Sequence, residues 1–203
     1  ERMATPTGGV PFVLPHRWAL VAAAALAPAP AVAQSVTAPS ADSLSALLRV
    51  ADTHHYRGAL ADALGVLARA ESLVRYSRPT PGRLARVWIA RADVWVSQTT
   101  ATNAGYAEAD SAAAQAIALA ERSGDARLRA DAADVAGRIL YSRRINLSEG
   151  DYERPLAHFK RALRLRRSAG DIRGEIESLF RVGLIHERKD ESDRAIAIYE
   201  EGM

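Results

Sequence analysis

Residues 150–203 read GDYERPLAHFKRALRLRRSAGDIRGEIESLFRVGLIHERKDESDRAIAIYEEGM, and this stretch decides the fold. Leu156, Phe159, Ala162, Leu163 and Leu165 recur at the spacing of one helix face. Ala169-Gly170-Asp171 then supplies a turn and a residue able to cap a new helix start. A second helical pattern runs over 172–188, and a third begins at Ser192. The stretch therefore predicts helix, tight turn, helix, and the same unit begun again.

Working outward, the unit recurs upstream. Gly124-Asp125 and Gly170-Asp171 are 46 positions apart, as are Gly137 and Gly183, Tyr106 and Tyr152, Ala116 and Ala162, and Leu119 and Leu165. One step further back, Ala136 falls on Ala90 and Tyr141 on Trp95. A shared offset at separate landmarks marks a repeat. The periodicity predicts helices over about 41–53, 59–76, 84–96, 106–122 and 126–141 ahead of the quoted stretch, with the His54-His55-Tyr56 corner and Gly58 as the turn between the first two. SRPTPG (77–82), SQTTATNAG (97–105) and RRINLSEG (143–150) read as the connections. Helices joined by short loops pack antiparallel, and each hairpin's outer apolar face can be buried only against the next hairpin.

These residues resemble the tetratricopeptide repeat (TPR). The last copy matches at Leu179, Val182, Gly183, Ala195 and Tyr199. The copy before it matches at Ala136, Gly137, Gly150-Asp151-Tyr152, Phe159, Ala162 and Leu163. Gly137 and Gly183 would let a partner helix approach without a Cβ in the way, and Phe159 and Tyr199 would fill the space between hairpins. There are departures. Pro155 replaces a small residue within a first helical turn, Arg91 replaces the glycine in the Trp88 copy, His186 replaces a tyrosine, and no copy ends in proline. The longer copies resemble bacterial versions in multidomain signalling proteins. The resemblance implies an all-α fold of antiparallel helical hairpins stacked as a right-handed superhelical solenoid. It also implies a concave groove lined by the first helix of each hairpin. Position by position, that lining comprises Trp88, Trp95, Asp134, Arg138, Tyr141, Phe180, Glu187 and Arg188. For Trp88 and Trp95, a core position is an equal alternative. Aromatic, Arg and carboxylate side chains together suit an extended peptide.

Composition agrees with helices. The 48% hydrophobic share is rich in alanine and aromatics are only 6%, which suits helices packed closely and suits strands poorly. The formal charge is +3 and the signs are interspersed, so the pI near 9.5 does not indicate a nucleic-acid stripe. With no cysteine, disulfides, thiol catalysis and Cys-ligated zinc are excluded. Residues 1–33 read as a secretory signal. Met3 is a plausible start, His16-Arg17 a basic flank, Trp18–Ala27 the apolar centre and Ala31-Val32-Ala33 a small-x-small cleavage site. Residues 34–40 read as a Ser/Thr/Pro linker, and residues 41–203 as the repeat domain, with hairpins at about 41–76, 84–122, 126–169 and 172–203. The apolar face at 195–201 has no helix after it, so the array reads as cut within its repeats.

Candidate chemistry is sparse. His54-His55 has no third ligand at motif spacing and reads as an exposed loop pair. His186 and Glu187, adjacent on a helix, diverge by about 100° and do not form an acid–base pair. No phosphate loop, nucleophile elbow or zinc-helix motif is present, and Ser148 has no base at recognisable spacing. Lys160, Arg161, Arg164, Arg166 and Arg167 form the densest positive run and are read as offsetting a helix C-terminus. Asn146-Leu147-Ser148 matches a glycosylation sequon. The expectation is an exported, periplasmic or secreted TPR-like scaffold that takes a peptide or partner protein in its groove. It has no catalysis, cofactor, metal, nucleic acid or membrane span of its own. The alternative is the sensory or regulatory arm of a larger protein, such as a sensor histidine kinase or a caspase-like protease, with the effector after Met203.

Overall fold

A computed structural model describes residues 41–77 and 79–203. The secretory signal and the linker expected over residues 1–40 lie outside the described residues. The described chain is all-helical. In order, the helices are α1 (Ala41–Tyr56), α2 (Leu60–Tyr76), α3 (Pro81–Thr102), α4 (Tyr106–Ser123), α5 (Ala126–Leu147), α6 (Glu153–Ser168), α7 (Ile172–Arg188) and α8 (Ser192–Glu201). No strand occurs among the described residues, and no helix there is long and apolar enough to cross a membrane.

Every substantial helix–helix contact joins elements one or two places apart in the chain. Each helix packs on its sequence neighbours, and α3 also packs on α1 and α5. The core is correspondingly divided. Leu44, Ala51, Leu67, Val74, Val87 and Val94 fill the space between α1, α2 and α3. Alanines of α3, α4 and α5, with Val135 and Ile139, make the middle. Leu156, Phe159, Val182 and Ile185 close α6 on α7.

Local chemistry accounts for the corners. Gly124 and Gly170 follow α4 and α6 at φ +71° and +62°, a region where a side chain is strained. The aspartates after them cap the next helix. Asp125 accepts from the amides of Arg127 and Leu128 at 2.9 and 3.2 Å, and Asp171 accepts from Gly174 at 3.1 Å. Asp151, in the turn before α6, likewise accepts from the Arg154 amide at 3.0 Å.

Three connections differ from the sequence reading. Pro81 and Gly82 do not lie between helices but open α3, with the Thr80 hydroxyl accepting from the Arg83 amide. The polar SQTTAT segment continues α3 to Thr102, and RRIN continues α5 to Leu147. The physical reason is a polar junction where α3, α4 and α5 meet. Thr99 and Thr100 satisfy their hydroxyls on the Val96 carbonyl at 2.9 and 2.8 Å. Fully buried Thr99 also reaches Ser142. Asn146 donates to the Thr99 carbonyl, the Tyr106 hydroxyl and Ser142 at 3.2–3.3 Å. The sequon asparagine is thus turned inward and engaged.

Candidate functional site

The eight residues expected in the groove fall in three places. Asp134 and Arg138 are brought together on α5. The Asp134 carboxylate is buried, with Arg138 Nε 3.1 Å from one oxygen and Arg181 Nε, from α7, 2.6 Å from the other. Arg138 also donates to Asp93 on α3. Asp93, Arg138, Asp134 and Arg181 therefore form an ion ladder across α3, α5 and α7. Burial opposes the charge of Arg138, but Asp93 and Asp134 outweigh it and hold its pKa above the usual value. Burial pulls Arg181 the other way, only partly offset by Asp134. Neither Asp93 nor Arg181 stood out in the sequence, because an ion pair between helices 45 residues apart has no local spacing.

Tyr141 and Arg188 are also brought together, with Arg188 Nε donating to the Tyr141 hydroxyl at 3.2 Å. This contact repeats the α5–α7 pairing two turns further along.

Trp88 and Trp95 lie elsewhere. Both are half-buried and pack against the alanine-rich core shared with α4 and α5. With Arg91, Glu108 and Ser111 they line a shallow recess of about 360 Å³ between α3 and α4. Arg91, the residue in place of a repeat glycine, stacks over Trp88 at 4.4 Å and donates to Glu71 of α2 at 2.9 Å.

Phe180 and Glu187 sit at a third place. Together with Ile176, Leu179, Ile198, Tyr199 and Met203 they line an apolar cleft of about 440 Å³ between α7 and α8. Phe180 and Tyr199 are 5.9 Å apart, centroid to centroid, and the Tyr199 hydroxyl donates to Glu187 at 3.1 Å.

The remaining candidates acquire partners. His54 and His55 are not in a loop but in the last turn of α1, half-buried, with His55 Nε2 2.7 Å from Ser97 of α3. His186 is buried and pairs with Glu191, at 2.8 Å, rather than Glu187. His158 is pushed below the usual histidine pKa by burial and then by Arg161 and Arg154. The basic run of α6 is distributed among acids. Arg161 meets Glu121, Arg167 meets Glu175 and Glu201, and buried Arg166 meets Asp131, Ser178 and the Gly174 carbonyl. Burial raises Asp131 above the ordinary carboxylate pKa despite Arg166. Among the described residues, no group of three or more His, Cys, Asp or Glu side chains is placed to hold a metal ion. No protein-family model matches the chain, and no curated protein matches it either.

Proposed function

We propose that the chain is a TPR-like scaffold, a stack of helical hairpins that holds an extended peptide of a partner protein along the layer of α3, α5 and α7. The carrying observation is the ion ladder, which ties these three odd-numbered helices side by side. Contacts confined to near neighbours in sequence support the stacked arrangement. So does the matched seating of Phe159 against Gly137 and Tyr199 against Gly183.

In this reading the ladder is structural at its centre. The Asp134 charge is already balanced by two guanidinium groups, which leaves it little capacity for a cationic ligand. The exposed end of the layer does the recognising. Arg188 is exposed and Tyr141 half-exposed beside it, offering a guanidinium to a peptide carboxylate and a ring to an apolar side chain. The molecule works by docking and has no chemical step of its own. The basic-flanked apolar segment and the Ala31-Val32-Ala33 site support a place of action outside the cytoplasm.

The test is peptide-display panning against the chain, followed by calorimetric titration of enriched peptides. Arg188→Glu should weaken an acidic enriched peptide about tenfold, since a charge-assisted bond becomes a repulsion. The melting temperature should not move. Failure to enrich any peptide over charge-scrambled controls would remove the reading.

A further inference from the structure

The exposed face of α7 carries a stripe with mirror-symmetric spacing. Arg173, Ile176, Phe180, Leu184 and Glu187 are separated by 3, 4, 4 and 3 residues. Steps of three and four keep them on one side of a helix. Burial agrees. Ile176 and Phe180 are 48% and 56% exposed, Leu184 is half-buried, and Arg173 and Glu187 are exposed. The helix faces its neighbours through Gly174, Ser178, Leu179, Val182, Gly183 and Ile185, so the stripe is the side left over.

The ends of the stripe carry opposite charges at equal distances from Phe180. Seven residues are close to two full helical turns, about 10.5 Å along the axis. Arg173 stands that far to one side of Phe180, and Glu187 that far to the other. Two such stripes laid antiparallel, with the Phe180 rings at the two-fold axis, put Arg173 of each against Glu187 of the other. They also put Ile176 against Leu184. Laid parallel, Arg173 would meet Arg173 and Glu187 would meet Glu187. The face is self-complementary in one orientation only.

We propose that α7 is a homodimerisation surface, on which a second copy of this chain packs antiparallel about Phe180. The aromatic at the centre and the charges at the rim divide the work in the usual way, burial supplying affinity and charge supplying register. The charges are free to exchange partners at little cost. Arg173 is 93% exposed and held only by Glu177 at 3.4 Å, and Glu187 accepts only the Tyr199 hydroxyl among the bonds described. The α7–α8 cleft, which Ile176 and Phe180 of the stripe line together with Tyr199, gives the incoming Phe180 and Leu184 an apolar seat.

The two-fold makes the test sharp, because every substitution acts twice per dimer. Sedimentation equilibrium of the chain over a wide concentration range should show a monomer–dimer equilibrium. Arg173→Glu and Glu187→Arg should each weaken it at least about tenfold, by opposing like charges at both ends. The double variant Arg173→Glu/Glu187→Arg should restore wild-type association. Phe180→Asp should leave monomer only. All three substituted positions are exposed, and circular dichroism of the four variants would show unchanged helix content. A monomer at every concentration would overturn the proposal and leave the face to a different occupant. So would a dimer indifferent to the single reversals, or single losses that the double variant does not repair.

Discussion

Gly137 and Gly183 each carry a ring from the following helix. A Cβ added at Gly137 would lie 2.5 Å from Phe159 Cε1, and one at Gly183 would run into Tyr199. Phe159 is fully buried and has no room to withdraw, whereas Tyr199 is half-buried at the α7–α8 cleft. Gly→Ala normally stabilises a helix by about 0.5–1 kcal/mol. At Gly137 the clash should reverse the sign, for a net loss of about 1–3 kcal/mol in urea denaturation. Gly183→Ala should lose less. Gly65 is the control, since it is exposed on α2 with nothing within 4 Å, and Gly65→Ala should stabilise. The repeated glycines were readable in the sequence by their common offset. What the sequence could not show was the direction of the neighbouring tryptophans. Trp88 and Trp95 turn toward α4 and its alanines, and side-chain spacing alone is equally compatible with a core or a groove.

At the scale of elements, the α7–α8 corner is held by one carboxylate. Glu191 takes bonds from His186, Arg194 and Lys189, and these, in that order, depress its pKa from 4.5 to about 2. A depressed carboxylate stabilises the fold fully above its unfolded pKa, and that contribution is lost as pH falls toward the folded value. The window is therefore about pH 4.5 down to 2. Wild type should lose stability across this window more steeply than Glu191→Gln, as read from urea midpoints at a series of pH values. Parallel slopes would show that Glu191 does not hold the corner. Asp131 contributes with the opposite sign, because burial raises its pKa. The helix ends themselves were only partly legible. SQTTAT and RRIN have the composition of loops, yet they remain helical because Thr99, Tyr106, Ser142 and Asn146 satisfy one another across three helices.

For the whole molecule, near-neighbour packing makes stability local. α5 buries residues on nearly every side, from Leu128 through Ser142, whereas Ala195 is the one fully buried residue of α8. Amide exchange measured at low concentration should therefore be slowest in α5 and fastest in α8 among the helices α3–α8. Equal protection throughout would indicate one cooperative unit instead. The self-complementary stripe of α7 adds a second expectation at this scale. Protection along α7 should rise with concentration, and only in chains that keep Phe180.

The sequence alone determined that the chain is helical, where most helices lie, and that the unit repeats at 46 residues, because apolar periodicity, capping aspartates and turn glycines act within a few residues of one another. It also presented the stripe on α7, whose symmetry is a property of spacing. Tertiary structure decided which charges are used up and which are left over. Asp134 and Arg166 are consumed by partners from other helices, while Arg173, Glu187 and Arg188 remain exposed. Ion pairing between helices depends on distances that no local pattern encodes, so the charges left exposed could be named only once the helices were packed.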